Sequence, residues 1–373
     1  MKVLLVANVA KEHVNKFHIP TIKYMQSRGW QVDVACNVDD VIPAADKVYN
    51  MSWTRSPFSL KILKGIRELK HILKQNNYDI IYCHTPVGGL VSRLASREVR
   101  KLGTKVVYCA HGLHFYSGAP IINWLLFYPI ERMLARMTDM FLTINLEDYN
   151  RVKTSFNQEM LVKLLPGIGV NFERLDVDCP DEIRDKYREN LEIPNDAKVL
   201  IYVAEIIKNK NQQMLIRSLK LLHESGQKMY LLLPGPDHSK GELHKLTETL
   251  GLKEYVKFLG WRNDIGELMA TSDMCVASSV REGFGINLLE AQYCHLPVVA
   301  TLNRGHSTVI QHGDNGFLVP LNDYKAMASQ IAQVFDDKDL YSRLTKIEVS
   351  NYRSDKIAKL IYDYLQEFKI SNK

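Results

Sequence analysis

The sequence predicts an α/β protein of two doubly wound, Rossmann-like domains, and three observations carry the prediction. Short β-branched runs alternate with longer amphipathic segments from end to end. The alternation restarts at Val199, after a polar stretch over residues 176–196. A chain of 373 residues also exceeds what a single hydrophobic core usually supports. Strands separated by helices build parallel sheets covered on both faces.

In chain order, the strand candidates of the first half are residues 2–8 (KVLLVAN), 31–36 (QVDVAC), 80–84 (IIYCH), 105–111 (KVVYCAH) and 140–145 (MFLTIN). The second half offers 199–204 (VLIYVA), 230–235 (YLLLPG), 256–260 (VKFLG), 274–279 (MCVASS), 297–301 (PVVAT) and 316–320 (GFLVP). Helical periodicity falls between them, clearest over residues 60–74 and 212–224. The glycines of Pro166-Gly167-Ile168-Gly169 mark a joint, which gives an N-terminal domain over 1–168 and a C-terminal domain over 169–354. Ligands of open α/β sheets sit beyond the carboxyl ends of the strands, so two such units are expected to face a central cleft.

Hydrophobic residues make up 46% of the chain and charged residues 24%, the balance of an ordered globular protein. The net charge of +6 is unevenly spread. Residues 1–168 hold 22 Lys/Arg against 13 Asp/Glu, a net of +9, while the remainder nets −3. A basic first half points to an anionic partner. Zinc-finger spacing, a helix-turn-helix signal and an aromatic RNA-binding signature are all missing, so nucleic acid is not the expected partner. The six cysteines form no Cys-x-x-Cys pair and read as small core residues of a reducing compartment. The apolar stretch over 121–130 contains Asn123 and Pro129 and is too short to span a bilayer. The expected location is cytoplasmic, at the inner face of the plasma membrane.

The strongest chemical signal is the run Arg281-Glu282-Gly283-Phe284-Gly285-Ile286-Asn287-Leu288-Leu289-Glu290-Ala291, which follows a strand and enters a helix. Gly283 and Gly285 leave backbone N–H groups bare at a helix start, an arrangement that cradles phosphate. Glu290, about one turn inside the helix, can accept hydrogen bonds from paired ribose hydroxyls. Glu282, ahead of the turn, addresses whatever is attached beyond the phosphates.

The two glutamates and the residues between them resemble the signature of the retaining GT-B glycosyltransferases of family 4. The segments Cys294-His295-Leu296-Pro297-Val298-Val299-Ala300-Thr301 and Gly313-Asp314-Asn315-Gly316-Phe317-Leu318-Val319 are similar to the family's next strand and turn. The resemblance implies two facing Rossmann-like domains, a nucleotide-sugar donor and no cofactor. It also implies a last helix, about 355–368, that crosses back to the first domain. A Gly-Arg pair followed by Lys is expected after the first strand of the second domain. Here Ala204 and Glu205 replace the pair, and Lys210 matches the Lys. Glu205 beside a diphosphate is repulsive unless Lys208 or Lys210 offsets it. Gly235, which closes a neighbouring strand, joins the donor-side candidates. His111, at the end of KVVYCAH, matches the family's histidine that reaches the transferred sugar, so His111 and Glu282 are the catalytic candidates. No metal is required, because the helix start and Lys210 supply positive charge. Asp176-Val177-Asp178 reads as solvated linker charge.

The string from His111 to Tyr149 resembles bacterial exopolysaccharide and capsule glycosyltransferases more narrowly, and implies a lipid-linked glycan acceptor. Phe115 and Tyr116 belong to an aromatic cluster placed on the acceptor side. Residues 60–74 (LKILKGIRELKHILK) pair one apolar stripe with a basic face that includes Lys61, Lys64 and Arg67. The ordinary reading is a core helix with a solvated face. The sharper one is contact with anionic lipid headgroups. The first strand is followed by Asn8-Val9-Ala10-Lys11-Glu12-His13 and not by a glycine fingerprint, which argues against a dehydrogenase. A sugar-nucleotide epimerase and a non-catalytic partner of a polysaccharide assembly complex remain as alternatives, the latter because of Glu205. UDP-N-acetylhexosamine or UDP-hexose is the donor the resemblance favours.

Overall fold

The structure is a computed structural model that describes residues 1–54 and 59–370. The chain forms two compact units, Met1–Val170 with the segment from Asn351 on, and Asn171–Ser350. The first unit holds β1 (Lys2–Val9), β2 (Gln31–Asn37), β3 (Lys47–Asn50), β4 (Ile80–His84), β5 (Lys105–Ala110), β6 (Met140–Thr143) and β7 (Leu161–Leu164). They pair in parallel in the order β3-β2-β1-β4-β5-β6-β7. The second holds β8 (Lys198–Ile201), β9 (Met229–Pro234), β10 (Val256–Gly260), β11 (Met274–Ala277), β12 (Val298–Thr301) and β13 (Phe317–Val319). Their order is β10-β9-β8-β11-β12-β13, again all parallel. Each sheet therefore reverses its strand order beside its own first strand, at β1/β4 and at β8/β11. Ligands bind at such switch points.

All eleven expected strands occur. The two strands absent from the sequence reading, β3 and β7, are the edges of the first sheet and are only partly buried. Interior parallel strands are covered on both faces and read as continuous apolar runs, which edge strands need not be. Strand β5 ends at Ala110, and its register sets His84 opposite Cys109, so His111 emerges just past the sheet's carboxyl edge.

The terminal helix, Ser354–Ile370, packs on the helix Ile19–Ser27 of the first unit. Tyr362 meets Tyr24 and Trp30 edge-on or tilted, and Lys163 Nζ lies 2.7 Å from Glu367 Oε1. Gly169 sits at φ +85°, and a Cβ there would come within 2.9 Å of Ser354 Cα, so this junction is closed to larger residues. The helix expected over 60–74 spans Lys61–Gln75, and its apolar stripe is narrower than expected. Ile62, Leu69 and Leu73 are buried, but Leu60 and Leu63 are 84% and 57% exposed.

Beneath β5 the core holds an internal ion pair. Arg93, fully buried, donates from Nη1 to Glu131 Oε2 at 2.8 Å and from Nη2 to Oε1 at 3.1 Å. Its guanidinium lies 4.0 Å from the ring centre of Tyr108. Removing one partner strands a buried charge, which costs about 3–5 kcal/mol. Glu131→Ala is expected to lower stability by that amount in urea unfolding; a loss below ~1 kcal/mol would show that the pair is not structural.

Candidate active site

In the second unit, β11 is followed by the turn 278–285 and the helix Ile286–Tyr293. Gly285 begins this helix without a side-chain cap, so its first N–H groups and partial positive charge are available to an anion. The turn is tied to the loop after β8. Ser278 Oγ donates to the Lys210 carbonyl at 2.8 Å, Val280 N–H to the Asn209 carbonyl at 2.8 Å, and Asn209 Nδ2 to the Arg281 carbonyl at 2.9 Å.

These ties place Glu282 against Lys210, with Nζ to Oε1 at 2.5 Å, and Ser279 Oγ donates to the same oxygen at 2.6 Å. Ser279 is held in turn by the Tyr202 hydroxyl at 2.6 Å, while Thr301 Oγ1 and Asn303 Nδ2 donate to its carbonyl. Gly305 backs the arrangement. A Cβ there would lie 2.5 Å from Glu282 Cβ, so only glycine lets the two chains touch. His306 donates from Nδ1 to the Thr301 carbonyl at 2.7 Å, and burial holds its pKa down at about 4.

Glu290 is buried inside the helix Ile286–Tyr293 and forms an ion pair with Arg174. Burial raises its pKa, and Arg174 opposes that rise. The same helix receives Phe172, stacked on Tyr293 with ring centres 4.7 Å apart, and Tyr293 donates its hydroxyl proton to Asp176 at 2.6 Å. Asp176 is exposed, as linker charge is expected to be, and this hydrogen bond ties it to the helix.

Glu205 is exposed, and its carbonyl accepts from Gln212 Nε2 at 2.9 Å. Gly235 at φ +149° lies so close that a Cβ would come within 2.0 Å of the Ala204 carbonyl oxygen. Gly235 therefore shapes the Ala204–Glu205 turn by close approach. Phe284 is buried beside Gly283 and Gly285.

In the first unit, His111 stands just past β5, with Nε2 3.2 Å from His84 Nδ1, and burial lowers its pKa to about 4. Phe115 is fully buried, with Trp124, Tyr128 and Phe156 around its ring. Its ring presents no exposed surface, whereas Tyr116 is half-buried. Lys61, Lys64 and Arg67 are exposed, and Lys70 and Lys74 both pair with Glu98. Among the described residues, no helix is long and apolar enough to cross a membrane.

Arg174, Asn303 and Gly305 were not legible in the sequence, since each acts across a long separation, whereas Ser279 lies three residues from Glu282 and was within reach. His84 was within reach, because it closes β4 just as His111 follows β5.

Comparison with known proteins decides the class. Residues 2–145 match the family model described as Glycosyl transferase 4-like, and residues 183–348 match Glycosyl transferases group 1. EpsD of Bacillus subtilis (strain 168), which carries a glycosyltransferase name, is 41% identical over 92% of this chain and 90% of its own length. The chain belongs to the family 4, or group 1, glycosyltransferases. This glycosyltransferase is also 26% identical, over 82% of its length and 80% of the relative's, to UDP-Gal:alpha-D-GlcNAc-diphosphoundecaprenol alpha-1,3-galactosyltransferase of Escherichia coli. Its fold is that of Anabaena HepE, a structure in complex with UDP, with TM-score 0.81, 23% identity and coverage of 98% of this chain and 100% of that one. The fold is GT-B.

Burial depresses the pKa values of His18, His84, His111 and His306 in the folded glycosyltransferase. Between those values and 6.5 the unfolded chain binds more protons than the folded one, so acid favours unfolding. Stability should be level above about pH 7 and fall below pH 6.5, by up to about 1.4 kcal/mol per pH unit for each histidine. Thermal melts across that range test this, and a melting temperature unchanged from pH 7.5 to 5 would contradict it.

Proposed function

We propose that this glycosyltransferase moves a hexose or N-acetylhexosamine from a UDP-sugar, with retention, to a lipid-linked saccharide during polysaccharide synthesis. The observation that carries the reading is the convergence of Lys210, Glu282 and an uncapped helix start at the β8/β11 switch point, with Glu290 buried one turn further on. Glu290 accepts from the ribose hydroxyls. Lys210 and the N–H groups around Gly283 and Gly285 hold the diphosphate, whose charge grows as the sugar departs. Donors already fixed by a hydrogen-bonded turn stabilise that charge without reorganising. Glu282 orients the sugar.

Support for the donor and acceptor comes from the Escherichia coli relative, whose name specifies UDP-Gal and a diphosphoundecaprenol-linked acceptor. UDP in the HepE complex points the same way. Glu205 does not stand against the reading, because its side chain is exposed while Lys210 supplies the cation. Exposed Lys61, Lys64 and Arg67, beside exposed Leu60 and Leu63, suit the surface of an anionic membrane where such an acceptor resides. No metal is assigned to the transfer.

Thermal shift with UDP, GDP, ADP and NAD tests the donor site. UDP at ~100 times its dissociation constant should stabilise the protein by about 2.7 kcal/mol, and Glu290→Ala should abolish the effect. Stabilisation by GDP or ADP alone would replace the uridine assignment, and no response to any nucleotide would overturn the reading.

A further inference from the structure

Four imidazoles gather at the ligand-binding edge of the first sheet. Two come from the wide, π-type helical turn Ala10–His18 that follows β1, and the others are His84 and His111 at the ends of β4 and β5. His18 Nε2 lies 3.1 Å from His13 Nδ1, and His84 Nδ1 lies 3.2 Å from His111 Nε2. The ring centres of His13 and His111 are 4.8 Å apart, those of His13 and His18 4.9 Å, and those of His18 and His111 5.9 Å. One ligand atom from each of His13, His18 and His111 falls in a group no wider than 4.8 Å. His18 and His84 are buried, and His84 Nε2 is buried with no hydrogen-bond partner. His13 and His111 keep partial exposure, which leaves a way in.

Neutral imidazoles can meet in pairs through N–H···N bonds. Two such pairs packed together at a switch point are an expensive way to fill a core, because apolar side chains need no polar satisfaction. The spacing matches another use. Two nitrogens bound at about 2.0–2.1 Å to one tetrahedral ion lie roughly 3.4 Å apart, close to the 3.1 Å between His18 Nε2 and His13 Nδ1. The group contains no carboxylate, and imidazole favours zinc, cobalt, nickel and copper over magnesium or calcium.

We propose that His13, His18 and His111 form a three-imidazole site for a divalent transition-metal ion of the zinc class, with His84 fixing the ring of His111 through its hydrogen bond. Three protein nitrogens leave the fourth tetrahedral position open. An ion held by neutral ligands keeps its full charge, so that position suits an anionic oxygen such as that of a phosphate. Binding here does not depend on the donor assignment in the second unit, and its readout is independent of sugar transfer.

The test uses the full, tag-free chain, stripped with chelator and dialysed. Calorimetric titration with zinc chloride should show one site per chain and no heat with magnesium chloride. Cobalt chloride should give the visible absorption of a tetrahedral nitrogen site. His13→Ala is expected to weaken zinc binding at least about tenfold and to remove the cobalt band. His71→Ala, on an exposed helix position, should bind as the parent does, and thermal melts check that each variant is folded. Should His13→Ala fail to fold, His13→Gln takes its place. Zinc binding that is absent, or equally tight in the folded His13 variant and the parent, overturns the proposal.

Discussion

The ion pair between Lys210 and Glu282 is the contact on which the second unit's functional edge depends. Two loops leave neighbouring strands there, and each alone would be a short, solvated turn. Their mutual hydrogen bonds and this charge pair convert them into one rigid surface. Ser279 adds a second donor to Glu282, and Tyr202 fixes Ser279 from the core side. Gly305 then closes the back of the surface at a distance no side chain tolerates. Glu282 is thus positioned by packing and hydrogen bonds that reach from β8 to the segment after β12.

Glu290 is placed by different means. Its carboxylate is buried, which favours the neutral form, and Arg174 supplies the charge that opposes this. Arg174 is delivered by the segment that enters the second unit, and stacking of Phe172 on Tyr293 with the Tyr293–Asp176 hydrogen bond anchors that segment. A stretch that connects domains in sequence therefore acts as part of the structure around Glu290. Lys210 is likewise paired with an acid, Glu282.

Much of the fold was legible because burial on both faces leaves an unmistakable mark. Ile80–His84 and Met274–Ala277 are buried at every residue and read as strands without help. Lys47–Asn50 and Leu161–Leu164 pair on one side only and stay partly exposed, so the same signal was absent. The motif from Glu282 to Glu290 was legible because a glycine turn and a helix start impose a local pattern. Arg174 reaches Glu290 across 116 residues, and no local pattern encodes such a contact. Phe115 shows the converse limit: an aromatic residue beside a candidate histidine carries no mark of which way it turns, and this one turns inward.

The central claim is that the donor's nucleotide diphosphate lies across the β8/β11 switch point of the second unit. A crystal structure of the protein soaked with UDP tests it most directly. The account predicts ribose hydroxyls on the Glu290 carboxylate and the terminal phosphate within hydrogen-bonding reach of Lys210 and the backbone around Gly285. Electron density for the nucleotide at any other place, with Glu290 left to Arg174 alone, would contradict it.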